Sequence, residues 1–507
     1  MSNEVVIGAG QLGVEDVVAV ARAGAPVALD AVAGKNVAAA RAHIDALAES
    51  TDPAYGVSTG FGALAVRSIP PERRADLQRS LIRSHAAGAG PAVEPEVVRA
   101  LMLLRLRTLA SGHTGVRAET VEALAAVLNA GITPVVPEYG SLGCSGDLAP
   151  LSAVALTLMG EGEVVAGGAR MPAAEALRQA GIAPLTLAEK EGLALTNGTD
   201  GMLGMLALAI HDLHRLLDVA DLTAAMSVEA QLGTDRVFAE DLQALRPHPG
   251  QAESARRIRE ALAGSEIVAS HRGPDCRRVQ DAYSLRCAPQ VHGAARDTLA
   301  HAESVAGREL VSAVDNPVVL ADGRVESNGN FHGAPLGYVL DFLAIPVADV
   351  ASIAERRTDR MLDVARSRGL PAFLAGDPGV DSGHMIAQYT QAGVVSELKR
   401  LAVPSSVDSI PSSAMQEDHV SMGWSAARKL RRGVDGLRTV LAIELLTAAR
   451  ALDLRAPLQP SPVTGAVRDL VRTRVAGPGP DRHLAPEIAA VEELIASGAV
   501  LSCVEET

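Results

Sequence analysis

The sequence predicts a mainly α-helical protein built on a bundle of long helices. Three observations carry that expectation. Aliphatic residues dominate the 507-residue chain while aromatics make up only 2%, so the core must be built from Ala, Leu and Val, a mixture that suits close helix packing. Apolar residues recur at helical spacing over stretches well beyond the average globular helix of about a dozen residues. Between those stretches lie short polar segments rich in glycine, where function concentrates.

At the N-terminus, VVIGAGQLG matches the dinucleotide fingerprint G-x-G-x-x-G letter for letter at Gly8, Gly10 and Gly13, and Asp30 follows at a plausible distance. A nucleotide-binding half would continue with alternating strands and helices. This chain turns instead into the Ala-rich helical pattern after Asp30, so the reading is a short strand, a turn and a helix opening near Glu15 and Asp16. Residues 95–110 are apolar nearly all round, as in a helix buried among others. Long helices are predicted over 200–229, 293–313, 337–363 with Pro346 inside, 382–402 and 423–452. A turn at 475–487 precedes one last helix. Three regions are expected: an N-terminal region over 1–200, a central long-helix bundle over 201–455 and a helical tail over 456–507.

The formal net charge of −14 makes nucleic acid and anionic membrane surfaces poor partners. Four cysteines, Cys144, Cys276, Cys287 and Cys503, are too few for a disulfide framework and none forms a CxxC pair, which fits a reducing cytoplasm. No signal segment is recognisable, and no membrane span is expected. His211 and His214 sit three apart on a predicted helix without an apparent third ligand, so no metal site is expected.

The segment YGSLGCSGDLAP, residues 139–150, carries the chemistry. A serine-hydrolase elbow fails because Asp147 stands where G-x-S-x-G needs glycine, and no GKS or GKT completes a phosphate loop. A glycine-rich turn with Asp147 as N-cap is the structural alternative. A third reading uses the backbone. If the Gly146 nitrogen attacks the Cys144 carbonyl and two waters leave, a five-membered ring forms with Ser145 converted to a dehydroalanine. That ring is an electrophile, and the helix starting at Leu148 would turn its positive end towards it.

This stretch resembles the signature of the aromatic amino acid ammonia-lyases that depend on 4-methylidene-imidazole-5-one (MIO). YGVSTGFG, SHAAG, EGLALTNGT, QDAYSLRCAPQ, DNP, GNFHG and QEDHVSM appear in family order along nearly the whole chain. Within that family the chain is similar to the histidine ammonia-lyases of actinobacterial type. The resemblance implies a fumarase/aspartase-like long-helix bundle, with MIO formed from Cys144, Ser145 and Gly146 and no external cofactor. It also implies a cytoplasmic homotetramer with shared active sites and a small amino acid as substrate. Tyr55 resembles the base that takes the β-proton, a role needing a lowered phenol pKa. Arg286 resembles the clamp on the substrate carboxylate. Tyr283, Asn197 and Gln280 resemble the polar residues around MIO and the amino group, and Phe331 a lining residue. Substrate choice is expected from Ser84, His85 and Glu417, because a polar pair can hydrogen-bond both nitrogens of an imidazole, whereas phenylalanine lyases carry an apolar residue at the first position and commonly Gln at the second. The implied reaction is elimination of ammonia from L-histidine to urocanate, the first step of histidine breakdown. A phenylalanine or tyrosine lyase and an MIO-dependent 2,3-aminomutase are the alternatives. Ala153 departs from the pattern, since the family often has His there.

Overall fold

The structure, a computed structural model, describes residues 4–8, 12–50, 54–273, 276 and 279–505. It is mainly helical, with long helices where the periodicity predicts them. They run over Asp200–Ala230, Ala288–Leu310, Ala334–Leu362, Met385–Leu401 and Gly423–Asp453, and the buried helix Pro95–Ala110 has the bounds read from the sequence. Pro346 lies inside its helix, which continues on both sides of it.

The N-terminal glycine motif gives strand Val5–Ile7 and helix Val14–Ala23, with Glu15 and Asp16 in its first turn. A second strand, Val27–Leu29, pairs parallel with the first and was missed; three residues are too few to show a period. The Asp30 carboxylate takes the Ala33 amide at 2.6 Å and so caps helix Ala31–Glu49. Gly10 lies outside the described residues.

Two helices correct the membrane expectation. The segment Glu191–Ala230 and the helix Ala334–Leu362 are each long and apolar enough to cross a bilayer. The most apolar window of the first is wholly buried inside the fold and that of the second mostly so, as for core helices.

The chain divides into two compact units that interleave in sequence. The first takes residues 1–211, 303–341 and 404–428; the second takes 212–302, 342–403 and 429–507. In the first, helices Arg74–His85, Leu148–Leu158 and Glu191–Thr196 pack on one another, and Pro95–Ala110 packs on the last of them. Arg105 is fully buried at the heart of that apolar helix. Its guanidinium donates to the carbonyls of Ala194, Asn197 and Val314, each at 2.9 Å, and lies 3.2 Å from the Asp200 carboxylate. An unpaired charge there would be strongly destabilising, so these partners are what permit it. The second unit buries its own ion pair, Arg357 to Glu444, whose carboxylate also accepts from Thr223 and Ser227 at 2.7 Å. Its C-terminal helices Pro462–Arg472 and Ala499–Glu505 pack together.

Candidate active site

Cys144, Ser145 and Gly146 sit in the turn between strand Pro137–Tyr139 and helix Leu148–Leu158. Gly146 has a φ of +75°, and a Cβ added there would lie 2.1 Å from the Gly198 carbonyl oxygen. Only glycine fits so close a backbone crossing. The crossing is fixed by the Asp147 amide, which donates to that same carbonyl at 2.7 Å. One residue earlier, the Asn197 side-chain amide donates to the Ser145 carbonyl at 3.1 Å.

Asp147 does not cap its own helix with its side chain. Its fully buried carboxylate accepts instead from the amides of Gly201 and Met202, at 2.9 and 3.0 Å, and from the Ser141 hydroxyl at 2.8 Å. It thus caps the start of helix Asp200–Ala230 across the fold. Burial pushes its pKa up to about 7 against those hydrogen bonds.

Glu417 stands over the tripeptide. Its carboxylate accepts from the Ser145 hydroxyl at 3.0 Å and from the Cys144 thiol at 3.3 Å, and is held by the Ser412 hydroxyl at 2.9 Å. Burial, reinforced by this carboxylate, pushes the Cys144 thiol up to about 11, so it is not a thiolate nucleophile.

Tyr55 packs edge-on against Phe61, with ring centroids 6.2 Å apart, and its phenolic oxygen accepts from the Gly62 amide at 3.2 Å. Two residues on, Val57 is wholly buried against Ala40, Ile44 and Val319, which anchors the turn. The lowered phenol pKa expected for a base is absent: burial first, and the Glu417 charge as well, raise it, and the Gly62 hydrogen bond only partly opposes them. Ser84 and His85 end helix Arg74–His85, with the Ser84 hydroxyl 3.0 Å from His85 Nδ1. Burial lowers the His85 pKa, so its ring is held neutral.

A cavity of about 550 Å³ joins these groups: Tyr55, Ser84, His85, Ser145, Asn197 and Glu417 all line it. Phe331 is half-buried in the turn before helix Ala334–Leu362 and is not among the lining residues. Gln280, Tyr283 and Arg286 belong to the second unit. There Gln280 and Tyr283 are exposed, the Arg286 guanidinium lies 4.7 Å from the Tyr283 ring centroid, and Arg286 Nε is buried without a partner. His211 bonds Glu15 at 3.0 Å, and no cluster of three or more metal-ligating side chains occurs among the described residues.

Sequence reasoning missed the supports. Gln78 is buried, accepts from the Gly192 amide at 2.9 Å and donates to the Gly56 carbonyl at 3.3 Å, tying the Tyr55 turn to helix Glu191–Thr196. Lys190 and Asp315 form a fully buried pair at 2.5 Å, in which burial lowers the Lys190 pKa and raises that of Asp315. Asp315 lies in the quoted DNP motif, but Gln78 and Lys190 carry no local signal. Phe61 and Ser413 also line the cavity, and both lie in quoted segments.

The sequence pattern of the aromatic amino acid lyases matches residues 12–473. The chain is 65% identical over 505 residues to the histidine ammonia-lyase of Streptomyces coelicolor, covering 99% of this chain and 98% of that one. Among solved structures it is similar to the tyrosine aminomutase of Streptomyces globisporus, at 38% identity and a TM-score of 0.94, covering 99% of this chain and 98% of that one. It is also similar to the histidine ammonia-lyase of Trypanosoma cruzi, at 39% identity and a TM-score of 0.91, covering 99% and 95%. With a family pattern spanning most of its length and relatives matching end to end, this chain is an enzyme of the aromatic amino acid lyase family.

Proposed function

We propose that the enzyme eliminates ammonia from L-histidine to give trans-urocanate, using an MIO group formed from Cys144, Ser145 and Gly146. The tripeptide fits that group. Gly146 lacks the side chain its backbone crossing would exclude, and Asn197 already donates to the Ser145 carbonyl, which the ring would retain. When formed, the ring supplies an electrophilic methylidene carbon, without which an unactivated β-proton and an ammonia leaving group would resist elimination.

The chain's own residues do the rest. Tyr55 takes the β-proton at its phenolic oxygen; because its pKa is raised, its base form grows as pH rises. Glu417 accepts from one nitrogen of the substrate imidazole, and the neutral His85 with Ser84 pairs with the other. Asn197 favours charge gathering on the Ser145 oxygen. Arg286, Tyr283 and Gln280 supply the carboxylate clamp and polar contacts, and Phe331 an apolar wall. Tyr338, Phe342 and Ile345 are 60%, 47% and 49% exposed and recur at helical spacing on one helix, an apolar stripe that supports a homotetramer. We place the enzyme in the cytoplasm.

The observation that carries this reading is the shared cavity in which a tyrosine, a neutral histidine and a carboxylate converge on the Ser145 turn. The test is near-ultraviolet absorbance of purified enzyme with L-histidine, L-phenylalanine and L-tyrosine supplied separately. Growth of a conjugated-acid band with histidine alone is expected. A band with phenylalanine or tyrosine instead overturns the substrate choice. A β-amino acid product would make the enzyme an aminomutase, the activity of its structural relative from Streptomyces globisporus.

A further inference from the structure

Arg67 lies in none of the motifs read for function, yet it lines the same cavity and is the only Lys or Arg side chain among the lining residues. It is exposed, and its guanidinium makes no hydrogen bond or ion pair among the described residues. In a site whose own acid is Glu417, this is an uncommitted cation.

The loop holding it is tightly folded. The Gly60 amide donates to the Arg67 carbonyl and the Ile69 amide to the Ser58 carbonyl, both at 2.9 Å, while Thr59 and Ser68 pair as an antiparallel bridge. A Cβ on Gly60 would come within 2.6 Å of the Leu64 carbonyl oxygen. Tyr55 is bound into the same loop through its hydrogen bond from Gly62. Arg67 and Tyr55 are therefore carried by one closed piece of backbone.

We propose that Arg67 is a substrate-binding residue that receives the α-carboxylate of the incoming amino acid at the cavity. A guanidinium fork matches a planar carboxylate, and an unpaired cation beside a cavity in a protein of net charge −14 gives an anionic group a local reason to enter there. Because the loop is shared, the bound carboxylate is registered against Tyr55. The inference rests on the proposed amino acid substrate.

The test compares wild type with R67Q, R67E and R67K as full-length enzymes. Turnover of L-histidine is measured at low and high salt, with inhibition by urocanate and by histamine, which keeps the imidazole but lacks a carboxylate. R67Q is expected to lower kcat/KM about tenfold, mainly through KM and with a weaker salt dependence. R67E lowers it further and R67K restores most of it. Urocanate should bind the R67Q variant more weakly, with histamine unaffected. Unchanged kcat/KM overturns the proposal, as does equal weakening of both inhibitors, which would mean a general loop effect. Loss of the double dehydration from the intact mass of the variants also overturns it, by moving Arg67 to ring formation. If wild type acts on another aromatic amino acid instead, the comparison is repeated with that substrate and its decarboxylated amine, so failure of the substrate assignment is seen apart from failure of the Arg67 role.

Discussion

Replacing Glu417 by Gln keeps the shape of the side chain and removes its charge, which separates what the carboxylate does from the space it fills. The proposed bond from the substrate imidazole would fall from a charge-assisted to a neutral one. Such bonds to charged groups are worth about 1.5–3 kcal/mol against about 1 kcal/mol for neutral ones. The difference corresponds to roughly two- to thirtyfold in kcat/KM for L-histidine. Phenylalanine, with no ring nitrogen, should lose nothing or gain. A second consequence runs through the neighbours. The Glu417 charge raises the pKa of Tyr55, so its removal lowers that pKa, and the rise of activity with pH should begin at lower pH in E417Q. The same charge raises His85, so the variant makes the His85 ring still harder to protonate. The assay is kcat/KM for L-histidine and L-phenylalanine across pH on enzyme whose intact mass shows the double dehydration. Equal losses for both substrates would refute the imidazole contact. A basic shift of the histidine profile would refute the electrostatic link to Tyr55.

Gly146→Ala adds a left-handed strain of about 1–2 kcal/mol to a Cβ 2.1 Å from the Gly198 carbonyl; the turn must open, and the intact mass should retain both waters. Asp147 has a pKa raised from 3.8 to about 7, so its favourable contribution is complete below about 4 and is lost as pH rises through about 7. Asp147→Asn, which can keep the contacts to Gly201 and Met202, should gain stability relative to wild type over that window in denaturant titrations; parallel curves would contradict this. Lys190→Met strands the buried Asp315 carboxylate and should cost about 3–5 kcal/mol, while the double change Lys190→Met with Asp315→Leu should recover much of it. Equal midpoints for the single and double variants would show that the pair is not coupled.

The long helices were legible because a period of 3.6 sustained over twenty or more residues overwhelms local ambiguity, as in Asp200–Ala230 and Gly423–Asp453. The small sheets were not. Strands such as Val27–Leu29 and Thr133–Pro134 span two or three residues, and pairing rather than pattern makes them strands. In the site, the glycine turn was visible as composition, and Tyr55, Ser84, His85, Asn197 and Glu417 were visible as motif members. Their common cavity is a product of the fold. The Asp147 cap failed as a local reading because the nearest helix start is not the one its side chain serves. Arg105 was hidden by its setting: one cation in an all-apolar helix reads as a surface residue until its three carbonyl partners, far away in sequence, are brought to it.

The supports of the site share a physical logic. Asn197 must aim its amide at the Ser145 carbonyl, but it sits where helix Glu191–Thr196 has ended and its backbone is no longer in a helical ladder. Free carbonyls at such an end need partners. Arg105 supplies them for Ala194 and Asn197, Gly198 takes the Asp147 amide, and Asp147 in turn satisfies the first amides of the helix that follows. The turn carrying Cys144, Ser145 and Gly146 is thus clamped between two helix termini, each of which would otherwise leave buried polar groups unmet. The requirement that buried backbone be satisfied and the requirement that three residues be pressed into one geometry are met by the same side chains, so loosening either Arg105 or Asp147 should disturb the turn before it disturbs the fold.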